Sequence, residues 1–362
     1  MNKFTCIALV LYICIACNKK EIKIDLPLSI TDSDTVFMNV GNLRYQNAKF
    51  HITDPKNFLI IHQDRKLWWY NLIEDSITRS VNLDTTNLVI PEVSILQARY
   101  QERDSSLILF FPQRNKIVNL NSSLEIKKET DLSGIEDFDH MYMPYGDAFF
   151  YEPSIGYVIG IMNIKTNDHQ SFLNEMKFVG VFDEVTGKLK NTFGEFGDKR
   201  KSVESMVLSE GIFHIDFRNG DFFLREVIAD QTIHTYSISG VKRDSYSVGT
   251  SKIESEIFPH ENGNDFFSLP RSDQFYSMKV TESGLVVSNT FSTKIINESL
   301  KYYSYLVIED LKKGVSYSTS IDPFQKILWA SNSEIYLVRN HPDTEEMILV
   351  KLKYKHGESS QD

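Results

Sequence analysis

The sequence predicts an all-β chain folded as a six-bladed β-propeller, and three observations point that way. Few windows of the 362 residues keep apolar side chains at i, i+3, i+4 and i+7, so helices have little to form from. Short β-branched and aromatic runs, such as Phe58-Leu59-Ile60-Ile61, Leu107-Ile108-Leu109-Phe110-Phe111 and Ile335-Tyr336-Leu337-Val338, recur throughout and read as strands. These runs repeat in order as strand, polar turn, strand, tight turn and amphipathic strand, at an average step of about 54 residues, near the length of a four-stranded blade. Seven blades, or two β-sandwich domains, are the alternatives the same runs allow.

Taken from the N-terminus, residues 1–16 read as a signal peptide. Lys3 is the short cationic start, and Phe4 to Ala16 is almost wholly apolar but short of the roughly 20 residues a helix needs to cross hydrocarbon. Cys14-Ile15-Ala16-Cys17 resembles a lipobox, with a small residue before the cysteine, which predicts cleavage before Cys17 and a lipid on its thiol. The other cysteines, Cys6 and Cys14, lie inside the signal. The mature chain therefore has no disulfide, thiolate metal site or cysteine nucleophile downstream. Residues 17–34 are polar and read as a tether that lets the domain stand off the membrane.

The propeller domain is expected over 35–354, with 355–362 as a frayed tail. Its repeats take strands at 58–62, 67–72 and 77–83; 107–111, 117–120 and 124–130; and 178–182 and 188–193. They continue at 222–228, 232–238 and 241–248; at 285–291, 303–308 and 315–321; and at 327–330, 335–338 and 347–354. Residues 251–275 read as an insertion ahead of the fifth repeat. The last repeat is one strand short, and 35–40 is an apolar run that supplies it, closing the ring and removing open sheet edges.

Net charge is −10, and −11 once the signal with its one lysine is gone. An acidic chain without a basic face is not built for nucleic acid. The lipobox-like segment, the six repeats, the hairpin Val181-Phe182-Asp183-Glu184-Val185-Thr186-Gly187-Lys188 and the Phe193-Gly194-Glu195-Phe196 that follows resemble a family of Gram-negative lipoproteins with TolB-like six-bladed propellers. The resemblance implies that fold and a cell-envelope location, and it brings no catalytic residue with it.

Catalytic motifs are missing. There is no Gly-x-Ser-x-Gly elbow, no Gly-rich phosphate loop and no His-Glu-x-x-His. No catalytic residue, metal site or cofactor is assigned. The nine histidines are scattered without ligand spacing. Acidic stretches at 136–147 and 260–265 fit no calcium loop and read as solvated turns. Trp68-Trp69-Tyr70 puts neighbours on opposite strand faces, so Trp68 and Trp69 are the candidate binding surface if either is exposed, with packing between blades as the default; Tyr302-Tyr303-Ser304-Tyr305 reads the same way. The expectation is a binding or scaffolding module for a protein, peptide or glycan. It is held to the outer membrane by lipid on Cys17 and faces the periplasm, because Asn18-Lys19-Lys20 lacks an acidic export signal. The alternative is an envelope hydrolase of glycosidase or lactonase type, with carboxylates converging from several blades.

Overall fold

The hairpins explain the repeats. At the exit of the third strand of several repeats, a polar side chain stands in for the next backbone carbonyl and turns the chain. The Oδ1 of Asn71 accepts from the amides of Ile73 (2.9 Å) and Glu74 (3.1 Å). Asn121 Oδ1 accepts from Ser123 and Glu125, both at 2.9 Å. Asp183 Oδ1 accepts from Val185 (3.0 Å) and Thr186 (2.7 Å), and Asp310 Oδ1 from Lys313 (3.1 Å). Bonds to Lys190, and to Thr186 after it, hold the Asp183 carboxyl well below the usual carboxylate range.

A computed structural model of the chain describes residues 19–22, 24–38, 49–54, 57–61, 66–82, 97–101, 104–133, 149–161, 174, 177–197, 213–226, 232–248, 274–296, 299–341 and 346–356. Its strands form six small sheets. Sheet I holds β4 (Lys49–Asp54), β5 (Asn57–Ile61), β6 (Lys66–Asn71) and β7 (Ser76–Asn82). Sheet II holds β8 (Gln97–Gln101), β9 (Ser106–Phe111), β10 (Lys116–Leu120) and β11 (Ile126–Asp131). Sheet III holds β12 (Phe149–Glu152), β13 (Gly156–Gly160), β14 (Val179–Phe182) and β15 (Leu189–Phe193).

Sheet IV holds β16 (Phe213–Arg218), β17 (Asp221–Glu226), β18 (Thr232–Ser237) and β19 (Lys242–Val248), with β1 (Lys19–Ile22) added at its outer edge. Sheet V holds β20 (Gln274–Val280), β21 (Val286–Ile296), β22 (Ser299–Asp310) and β23 (Val315–Ile321), with β2 (Ile24–Pro27) outside it. Sheet VI holds β24 (Lys326–Ala330), β25 (Glu334–Asn340) and β26 (Met347–Lys355), and β3 (Ser29–Phe37) is its fourth strand. The chain is all-β and its sheets take a propeller arrangement, not that of two sandwiches. The first strand of each sheet lies inward: β4 neighbours β8, β8 neighbours β12, β16 neighbours β20, β20 neighbours β24, and β24 neighbours β4.

The N-terminal segment corrects the expected tether at 17–34. β1 pairs parallel with β19, β2 parallel with β23, and β3 antiparallel with β26. Outer strands face water on one side, so β3 can be mostly exposed and polar and still form a ladder. An eye tuned to apolar runs takes such a segment for loop. The strand that completes sheet VI therefore starts at Ser29, six residues before the run expected to supply it. Of the expected tail, Lys355 ends β26 and His356 packs beside Tyr317 and Tyr354. Residues 357–362 lie outside the described residues, as do 1–16, Cys17, the acidic stretches 136–147 and 260–265, and 251–273 of the expected insertion.

Apolar clusters fill the seams between neighbouring sheets. Trp69, Leu107 and Leu109 pack between I and II, and Ile108, Phe149 and Tyr157 between II and III. Between III and IV, Phe178 stacks on Phe213 at 4.3 Å. Ile233 and Val280 join IV to V, Val287 and Ile335 join V to VI, and Leu349 and Tyr70 join VI to I. Each fully buried aromatic or aliphatic side chain contributes roughly 1.5–3 kcal/mol, and seams of this kind hold small sheets that no single face covers. Lys351 Nζ reinforces the VI–I seam by donating to the Leu72 carbonyl (2.7 Å) and to Asp75 Oδ1 (3.2 Å).

Candidate functional site

The inner strands carry a polar device that the apolar runs do not. In β16, the alternation Phe213-His214-Ile215-Asp216-Phe217-Arg218 sends successive side chains to opposite sides. Phe213 and Ile215 enter the III–IV cluster. His214, Asp216 and Arg218 reach β20 instead. His214 Nε2 donates to the Phe275 carbonyl (2.8 Å), Asp216 Oδ2 accepts from the Val280 amide (2.6 Å), and Arg218 Nε donates to the Val280 carbonyl (3.1 Å). Elsewhere Arg99 Nε of β8 donates to the Phe149 carbonyl of β12, and Ser277 Oγ of β20 accepts from the Ile327 amide of β24 (2.8 Å). A side chain of one inner strand thus latches onto the backbone of the next.

Behind β20 lies a buried ion pair. Arg225 Nη2 and Glu309 Oε1 are 2.5 Å apart with both side chains fully buried. Arg225 Nη1 donates to Ser288 Oγ (2.6 Å), and its guanidinium lies 4.1 Å from the Phe275 ring centre. Burial pushes the Glu309 carboxyl up, against the pull of Arg225. Burial also lowers the His214 imidazole to about 4. The pair and its serine join β17, β21 and β22, and a dry pair of this sort adds little net stability.

Where the inner strands end, the latches surround a cavity of about 370 Å³. Its wall is drawn from the C-terminal ends of β8, β12, β16, β20 and β24, on the face where first and second strands are joined. Arg99, Arg218 and Lys279 supply cations, and Glu152 and Asp216 supply acids. Phe150, Tyr151, Phe217 and Trp329 supply rings. The Arg99 guanidinium lies over Phe150 at 4.6 Å, and Trp329 meets Tyr336 at 5.0 Å. Burial first, then Glu184, raises the Tyr151 hydroxyl beyond the usual phenol range, so it stays protonated. Asp216 is committed structurally: its two oxygens accept from the amides of Phe217 (2.9 Å) and Val280 (2.6 Å).

Trp68 and Trp69 are not on this cavity. Trp69 is buried in the I–II seam beneath Arg79 (5.0 Å), and Trp68 packs half-buried against the VI–I cluster. Tyr302 is exposed and lies at 5.6 Å from Phe291 and 5.0 Å from Phe324. Among the described residues, no group of three or more His, Cys, Asp or Glu side chains is placed to hold a metal ion. No helix among them is long and apolar enough to cross a membrane. Apart from those of β24, the cavity residues were missed because most of their strands mix polar and apolar side chains; the strict alternation in 213–218 was the signal available.

No protein-family profile and no curated protein matches the chain. Among solved structures it is similar to a member of the DUF4221 family from Bacteroides vulgatus ATCC 8482, with a TM-score of 0.68 and 11% identity over 91% of this chain and 97% of that one. Virginiamycin B lyase from Staphylococcus aureus also aligns, with a TM-score of 0.42 and 11% identity over 89% of this chain and 99% of that one, a fit too loose to argue from. The likeness to the DUF4221 protein, at that identity, shows a shared fold and nothing about activity.

Proposed function

We propose that the six sheets are the blades of one six-bladed ring of the TolB-like lipoprotein kind, and that its end cavity binds an anionic ligand, a peptide or glycan carrying carboxylates. The lining of the cavity is the observation that carries this reading. In a chain of net charge −10, the described residues of the wall include three cations against two acids, with rings beside them. Cations within a low-dielectric recess focus their field on a ligand, and rings beside charges suit a ligand with both apolar faces and acidic groups.

Binding is favoured over hydrolysis because Asp216 has both oxygens engaged by backbone amides, so among the described residues of the wall Glu152 has no uncommitted carboxylate beside it for two-carboxylate chemistry. In this reading the chain is anchored by lipid on Cys17, is held at the outer membrane and faces the periplasm. Cys17→Ser is then expected to lose fatty-acid labelling. Digestion of the domain by protease added to intact cells would refute the periplasmic side.

Calorimetric titration with paired neutral and carboxylated oligosaccharides and an acidic peptide tests the site. An acidic member is expected to bind with salt-sensitive affinity, and Arg218→Ala to weaken it about tenfold, or ~1.4 kcal/mol. Equal binding by the wild type and the variant would remove the cavity from consideration.

A further inference from the structure

We infer that the hairpin rim of sheets III and IV is seated on the lipid bilayer, so that the domain lies against the membrane. This rests on the proposed lipid at Cys17. The chain between Cys17 and Lys19 can span no more than about 7 Å, and Lys19 is already paired with Ser245 at the edge of sheet IV. No slack is left for a tether. β1 runs parallel to β19, away from the hairpin that joins β18 to β19, so the chain reaches Lys19 from the hairpin side.

That rim is dressed for lipid. In the β14–β15 hairpin Val185 is 77% exposed, and in the β18–β19 hairpin Val241 is 64% and Ile238 38% exposed. Asn191 Nδ2 of β15 donates to the Ser239 carbonyl at 2.6 Å, which sets the β18–β19 hairpin against sheet III, with both hairpins at the same end of their sheets. Lys188, Lys242 and Arg243 are exposed beside it, and cations flanking an apolar tip suit a phosphate-bearing surface. Single exposed valines need no explanation; exposed Ile238 and Val241 on one hairpin, beside the point where an anchored chain enters, do. The cavity opens on the same face, so this pose turns its mouth to the membrane side.

The mature chain has no cysteine after Cys17, so a new one can be labelled cleanly. Full-length protein carrying Val241→Cys, Val185→Cys or, on the opposite face, Tyr302→Cys is labelled with a fluorophore. It is then reconstituted into phosphatidylethanolamine–phosphatidylglycerol vesicles containing nitroxide-labelled lipid. Quenching is expected to be several-fold stronger at 241 and 185 than at 302. Equal quenching with lipid present at Cys17 by intact mass overturns the seating alone. Absence of that lipid overturns the anchoring and the seating together. If Val241→Cys does not fold by circular dichroism, Val185→Cys against Tyr302→Cys gives the same answer.

Discussion

His214 shows how a residue can be buried for geometry and still govern response to pH. Its ring is held to about 4 by burial first and then by Lys326, Arg225 and Lys279, with its bond to the Phe275 carbonyl pulling the other way. The unfolded chain takes up that proton near 6.5. Between the two values the unfolded state binds more protons, so this group's contribution is complete above pH 6.5 and is lost as pH falls toward 4. At most it amounts to about 3 kcal/mol. Urea unfolding at pH 7 and pH 4.5 should show a smaller acid loss for His214→Asn than for the wild type; parallel losses would mean that the ring titrates normally. In the sequence His214 was one of nine scattered histidines, since nothing local announces that a carbonyl 61 residues away accepts its hydrogen bond. Trp68 and Trp69 were legible as opposite-facing neighbours, but only the positions of sheets II and VI decide that both faces are covered.

At the scale of elements, most second, third and fourth strands were readable because they are apolar or end in an Asx turn, as at Asn71 and Asp183, whereas β13 was not anticipated and most of β3 read as tether. First strands were not, apart from β24: Gln97-Ala98-Arg99-Tyr100-Gln101 resembles surface until its neighbours close over it. Gly187 was legible as part of a hairpin, though its reason was not. It has φ +68, and a Cβ there would overlap the Asp131 carbonyl, where Ser133 bridges sheet II to Lys188 of sheet III. The strand with most at stake is β3, whose ladder runs from Ser29–Lys355 to Phe37–Ile348. Removing residues 1–28 takes away β1 and β2 and should lower the melting temperature while leaving a folded domain. Removing 1–37 also bares β26 along its length, and an open edge of that kind invites aggregation. Thermal melts by far-UV circular dichroism distinguish the two, and equal melting would show that β3 does not complete the structure.

For the whole molecule, seams and latches between neighbours make local loss of one sheet costly to the next. Unfolding is therefore expected in one step. The three tryptophans, Trp68, Trp69 and Trp329, report on sheets I and VI only, whereas far-UV circular dichroism reports on all. In urea the two signals should change together, as two-state behaviour requires; an earlier fluorescence transition would place the weak point at sheets I and VI and the seams beside them. The N-terminal strands also set a timetable. Lys353 Nζ meets Asp32 across 321 residues of chain, so β3, made early, cannot be placed until β26 has been synthesised. Contacts this remote in sequence form slowly. Throughout that wait β3 is unpaired β-edge on a nascent polypeptide, a state prone to wrong partners, and a cell making this protein has to shield its beginning until its end arrives.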